Sequence, residues 1–155
     1  MTIRAQPRIT VLLAEDDADF RALVAAELTT RGFDVTCVRD GRELADELAS
    51  FVVSSRRPRP DVIVSDIRMP GPSGLALLRA VNEADLHIPV ILMTAFGDRR
   101  VHEIAAEHDA AAVLDKPFAF SDLETVLRAV AGIPTGATVS PTPSPVPTPA
   151  WAQQA

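Results

Sequence analysis

The chain has 155 residues, a formal net charge of −6 and a hydrophobic fraction of 47%. That content fits one domain of common size with a tail, and the acidic balance leaves no basic surface to grip nucleic acid. A single cysteine, Cys37, excludes an internal disulfide and a multi-cysteine zinc site; no apolar run approaches the ~20 residues of a membrane span, and Met1–Arg8 has no stretch of signal-peptide type, as expected of a cytoplasmic protein.

Thr10–Ala14 is a short apolar run of strand type. Phe20, Leu23, Val24 and Leu28 then recur at helical spacing, and Gly32 reads as the C′ residue that closes the helix. Asp34–Val38 is rich in β-branched residues and strand-like, with Cys37 read as a small buried hydrophobe. Asp40-Gly41 marks a turn before a second helical stripe, Leu44, Leu48, Phe51 and Val52. The proline-broken loop Arg56–Pro60 leads into a strand over Asp61–Ser65. Pro70-Gly71-Pro72-Ser73-Gly74 is another loop, with Ser73 as N-cap of a helix carrying Leu75, Leu78 and Val81. Pro89 opens a strand over Val90–Met93, and Val101, Ile104 and Ala105 predict a short fourth helix. Ala111–Leu114 is a fifth strand. Leu123, Val126, Leu127 and Val130 mark a fifth helix, with Ser121 read as its N-cap.

Strand and helix thus alternate five times, and the middle strands are continuous apolar runs, as in a sheet covered on both faces. The fold class that follows is α/β: a five-stranded, doubly wound, open parallel sheet. From Gly132 onward the composition changes. Six of the 13 prolines fall in Pro134–Pro149, and Arg128 is the last charged residue. Such a segment buries too little apolar surface to offset its ordering entropy. The expected division is a folded domain over 8–131 and a disordered Pro/Thr/Ala-rich tail over 132–155. The tail's prolines recur every second residue and give no Pro-x-x-Pro match. Its lone Trp151 is either an anchor to a partner or to the domain, or an idle side chain.

Four polar sites close four of the apolar runs: Glu15-Asp16, Asp66, Thr94 and Lys116, the only lysine in the chain. In a doubly wound sheet the carboxyl ends of the strands form one edge, where ligands bind. Acids there have a plain structural alternative, because carboxylates cap helix N-termini; for Asp17 capping is the preferred reading. Asp66 ends a buried strand, where an isolated carboxylate is costly to ionise. Carboxylates crowded together raise one another's pKa unless a cation joins them, and Mg²⁺ suits a few hard oxygen ligands. A strand-end aspartate can also attack phosphorus, with Mg²⁺, the Lys116 ammonium and the Thr94 hydroxyl meeting the negative charge of the transferred group. His87, His102 and His108 do not fall at metal-ligand spacing.

The order Glu15-Asp16, Asp66 within SDIRMPGPSG, Thr94-Ala95 and Lys116-Pro117-Phe118 resembles the receiver domain of bacterial two-component response regulators, over roughly Arg8 to Ala131. Each motif alone is weak; the four in order are specific. The resemblance implies a (βα)5 flavodoxin-like fold of the single-domain receiver type. It implies that Asp66 is the phosphoacceptor for a histidine kinase or phosphotransfer protein. It further implies that Glu15, Asp16, Asp66 and the backbone carbonyl of Arg68 hold Mg²⁺, and that Thr94 and Lys116 bind phosphoryl oxygens. In that family an aromatic residue on the fifth strand often reorients with the threonine; here the matching position is Val113. Arg68 and Phe96 stand at flanking positions that tune phosphoryl lifetime in the family, and the expectation is that they prolong it.

The leading expectation is a phosphorylation-driven switch that acts on a downstream protein partner, without direct contact to nucleic acid or membrane, and that catalyses only its own phosphorylation and dephosphorylation. Alternatives are a phosphorelay intermediate, the receiver part of a longer effector, a fold retained without its chemistry, and an aspartate-nucleophile phosphatase. The phosphatase reading wants a second aspartate two residues after the nucleophile, where this chain has Arg68. A homodimer through Val101, Ile104 and Ala105 competes with burial of those residues in the core.

Overall fold

A computed structural model describes residues 7–54, 56–95 and 99–131; the tail, Trp151 and Phe96 lie outside the described residues. The elements run β1 (Thr10–Ala14), α1 (Ala18–Thr30), β2 (Asp34–Val38), α2 (Gly41–Val53) and β3 (Val62–Asp66), then α3 (Gly74–Glu83), β4 (Val90–Thr94), α4 (Arg99–Glu107), β5 (Ala112–Asp115) and α5 (Phe120–Ala131). The five strands are parallel and ordered β2-β1-β3-β4-β5, the flavodoxin-like arrangement in which the strand order reverses between β1 and β3.

Side chains alternate across the sheet with the period of two that a strand dictates. Val11 and Leu13, Val62 and Val64, and Ile91 and Met93 meet Val24 and Leu28 of α1 and Leu123 and Leu127 of α5 on one face. Leu12 and Ala14, Ile63, and Val90 and Leu92 meet the buried sides of α2 and α3 and Ala105 of α4 on the other. Two cores therefore clamp the sheet. Removing one fully buried leucine such as Leu13 from either would cost about 2–5 kcal/mol.

The local signals for helix ends are mostly realised. Asp17, Asp40 and Ser73 each accept a hydrogen bond from the backbone N–H three residues on, at Phe20, Glu43 and Ala76. Gly32 takes φ +95° after α1, a conformation that favours glycine. Asp40-Gly41 is therefore a helix start and not a free-standing turn. Ser121 lies inside α5, which begins at Phe120; the Ala119 carbonyl accepts from the N–H groups of Asp122 and Leu123 instead. Leu23 and Val52 do not face the core: Leu23 is 48% exposed on α1, and Val52 lies outward at the end of α2. Cys37 is also exposed, because β2 is an edge strand with a neighbour on one side only. Leu77, outside the expected stripe of Leu75, Leu78 and Val81, is buried on the core side of α3.

Candidate functional site

Pairing of the central strands carries their polar ends to one level. β3 ends on Asp66 and β4 on Thr94, each one residue later than their apolar runs, since Asp66 still pairs with Met93 and Thr94 with Asp115. β1 hands over to Glu15, whose N–H donates to the Val38 carbonyl of β2. Gly74 sets the approach of α3: a Cβ there would collide with the Asp66 carbonyl and crowd the Ile67 backbone. The strand end and the helix N-terminus therefore sit against each other only because that side chain is missing.

Glu15, Asp16 and Asp66 each offer a carboxylate oxygen, and these oxygens lie within 4.8 Å of one another. Glu15 is 1% exposed and Asp66 7%, while Asp16 opens to solvent. Lys116 Nζ donates to Glu15 Oε2 at 2.8 Å and to Asp66 Oδ2 at 3.1 Å. The other oxygens are held by backbone: Asp17 N–H donates to Glu15 Oε1 at 3.2 Å, and Arg68 N–H to Asp66 Oδ1 at 3.3 Å. Thr94 is 3% exposed at the end of β4, and its carbonyl accepts the N–H of Lys116 at 2.8 Å. The Lys116–Pro117 peptide bond is cis. Residues 50 and 101 positions apart in the chain are thus joined through one ammonium.

The electrostatics follow from burial. Desolvation pushes the Glu15 carboxyl up to about 7, against the hydrogen bonds from Lys116 and from the Asp17 N–H that favour its charged form. Burial also opposes the Lys116 charge, but the hydrogen bonds to Glu15 and Asp66 outweigh it and hold its pKa above the usual lysine range. A buried acid at that pKa beside two more carboxylates is a cluster short of positive charge. Its donors are all hard oxygens, and the open side lies at Asp16. This set fits a small divalent cation.

Three contributors carried no sequence signal for this role. Arg21 Nη1 donates to the Glu15 carbonyl at 2.8 Å; Ser65 Oγ donates to the Asp66 carbonyl at 2.9 Å; and the Phe20 ring lies 4.5 Å from Lys116 Nζ. Phe20 was legible only as part of an apolar helix stripe. The histidines stand apart from the cluster. His87 faces Asp85 at 3.0 Å on the surface, His102 Nε2 lies 3.2 Å from Asp115 Oδ1, and the His108 carbonyl accepts from Asn82. Among the described residues, no helix is long and apolar enough to cross a membrane.

Comparison with known proteins gives consistent results. Residues 11–128 match the family described as response regulator receiver domain. The DNA-binding transcriptional regulator NtrC of Klebsiella pneumoniae is 37% identical over 106 residues, covering 68% of this chain and 21% of that protein. The C4-dicarboxylate transport transcriptional regulatory protein DctD of Pseudomonas aeruginosa is 38% identical over 122 residues, 77% of this chain and 25% of that protein. The chain thus spans a quarter or less of the length of these two relatives. Among solved structures, the receiver domain of Francisella response regulator 1452 superimposes with a TM-score of 0.70 at 26% identity, covering 81% of this chain and 98% of that one. The chemotaxis response regulator CheY4 of Vibrio cholerae gives 0.67 at 26% identity, covering 80% and 99%.

Proposed function

We propose that this chain, which belongs to the response regulator receiver domain family, takes a phosphoryl group onto Asp66 from the phosphohistidine of a kinase or phosphotransfer protein. Receiver domains of response regulators are signalling switches. The finer reading rests on one observation above the others: Lys116 Nζ bridges Glu15 and Asp66 at the end of the sheet, beside a third carboxylate.

Glu15, Asp16 and Asp66, with the Arg68 carbonyl, would hold Mg²⁺. When bound, the ion supplies positive charge against the three carboxylates and the incoming phosphoryl oxygens. One Asp66 oxygen attacks phosphorus, the phosphorus–nitrogen bond to the donor imidazole breaks, and the electron pair leaves with that nitrogen. The Arg68 N–H keeps the carboxylate oriented for attack. Lys116, released from Asp66 as that oxygen becomes the bridging oxygen of an acyl phosphate, turns its donors to the phosphoryl group, and the Thr94 hydroxyl adds a hydrogen bond. The product carries roughly two negative charges where the carboxylate had one. A partner responds to the extent that it binds the two forms of the domain differently.

The phosphatase alternative fails on the second acid. The position two residues after Asp66 is Arg68, whose guanidinium neither accepts nor releases a proton in the ordinary pH range. We place the chain in the cytoplasm, where a receiver meets its kinase, and assign output to a protein partner. The test is direct. The protein is incubated with Mg²⁺ and acetyl phosphate, and its intact mass is compared with that of Asp66→Asn. One phosphate adduct is expected on the native protein, none on the variant, and none when Mg²⁺ is chelated. An adduct on both proteins would remove Asp66 as acceptor.

A further inference from the structure

Lys116 has a third neighbour besides its two carboxylates. Its Nζ stands 4.5 Å from the centroid of the Phe20 ring, on the first turn of α1. That distance is within the range in which a ring face attracts a cation. The ring is itself braced. Phe118 meets Phe20 edge-on, with centroids 6.1 Å apart and planes at 72°, and Phe120 meets Phe118 at 6.1 Å and 87°. All three pack against the core shared by α1 and α5. Phe118 follows Lys116 by two residues and Phe120 begins α5, so the ladder joins the lysine's own loop to two helices. The backbone at Phe20 is fixed as well, its N–H donating to the Asp17 cap at 3.0 Å.

We infer that Phe20 is a positioning residue for Lys116: its ring face keeps the ammonium aimed into the acid cluster while the ammonium exchanges carboxylate partners for phosphoryl oxygens. The inference rests on the phosphoacceptor reading and adds to it a residue outside the acid, threonine and lysine set. Glu15 and Asp66 hold Lys116 in the resting site, but both are the groups a cation and a phosphoryl transfer would engage. As they are engaged their attraction for the lysine falls. The quadrupole of the ring is consumed by neither event. A leucine at position 20 would fill similar space and supply no such attraction, so the role is separable from packing.

Lys116 is the only lysine in the chain, so protein made with ¹³C-lysine gives one set of side-chain signals. In the native protein the ε-methylene is expected upfield of free lysine, shifted by the ring current of Phe20. Phe20→Leu should return it towards the free position, and Phe20→Trp should keep it upfield. Affinity for beryllofluoride with excess Mg²⁺ should fall about threefold to tenfold in Phe20→Leu and recover in Phe20→Trp. A ring-fluorinated phenylalanine installed at position 20 alone keeps the shape, drains the ring face of negative charge, and should weaken binding as leucine does. This third protein decides the matter if leucine disrupts folding. A lysine signal at the free position in the native protein, or one unmoved by Phe20→Leu, overturns the inference without reference to phosphoryl chemistry. Native-like beryllofluoride affinity in both the leucine and the fluorinated proteins overturns it while leaving Asp66 as acceptor. Failure of the native protein itself to bind beryllofluoride overturns the phosphoacceptor reading, and this inference with it.

Discussion

Replacing Glu15 by glutamine separates the cost of a buried charge from its use. Burial carries the Glu15 pKa from an ordinary 4.5 to about 7. A folded-state pKa above the unfolded one means that the stability contribution is full below pH 4.5 and is lost as pH rises through about 7. At about 1.4 kcal/mol per pH unit of separation, the ionised carboxyl costs at most about 3 kcal/mol at pH 8 and about 1 kcal/mol or less at pH 5. Glutamine has the same shape and keeps a carbonyl for Lys116 Nζ. In urea unfolding without divalent ions, Glu15→Gln should therefore exceed the native protein by about 1–3 kcal/mol at pH 8 and match it closely at pH 5. Excess Mg²⁺ should close the gap at pH 8 by stabilising the native protein more than the variant. The same variant should lose most phosphorylation by acetyl phosphate. A stability difference that is constant from pH 5 to pH 8, or a variant less stable at pH 8, would refute the assignment of a buried, cation-seeking Glu15.

Two further substitutions probe the scaffold. Gly74→Ala puts a methyl group against the Asp66 carbonyl and the Ile67 backbone, neither of which can yield as a side-chain end can; a loss of about 1–3 kcal/mol in thermal unfolding is expected, with slowed phosphorylation of the folded fraction. A native-like rate in that fraction would show that α3 does not set the position of Asp66. Asp109 holds φ +60° in the turn after α4, so Asp109→Gly should raise stability by about 0.5–1 kcal/mol, and a lowered melting temperature would count against the strain.

What the sequence made legible divides along physical lines. Buried parallel strands must be apolar on both faces, so β1, β3 and β4 announce themselves as runs. Their ends are harder to read, because Asp66 and Thr94 remain in the ladder although their side chains look like loop chemistry. Helix caps are local and were readable at Asp17 and Ser73, whereas Asp40, which caps α2, was legible only as part of a turn. Exposure at an edge is not local: Cys37 reads like any buried β-strand cysteine until the order β2-β1-β3-β4-β5 leaves β2 without an outer neighbour. The acids, threonine and lysine could be picked out because polar groups at the ends of apolar runs are conspicuous. Phe20 could not, because its spacing also satisfies an ordinary core stripe, and only three-dimensional placement puts its ring under Lys116.

Where the receiver resemblance leads to the expectation of an aromatic residue on β5 this chain has Val113, which pairs with Leu92 and packs on the α2–α3–α4 side of the sheet. A branched aliphatic side chain is restricted at χ1 and has no ring to swing between inward and outward positions, so a movement at Thr94 on phosphorylation would have to leave the site by other contacts. Two are in place. Asp115, the register partner of Thr94, lies 3.2 Å from His102 of α4. Lys116, whose N–H is bonded to the Thr94 carbonyl, rests on the Phe20–Phe118–Phe120 ladder that reaches α5. Both begin one residue from each other at the end of β5. A displacement of that strand end would have two routes outward, to α4 through a polar contact and to α5 through stacked rings, and the two helices need not respond equally. Amide hydrogen exchange with and without beryllofluoride separates these paths: Phe20→Leu should blunt the response of α5, and Asp115→Ala that of α4. If both variants change α4 and α5 alike, the two contacts do not carry separate signals.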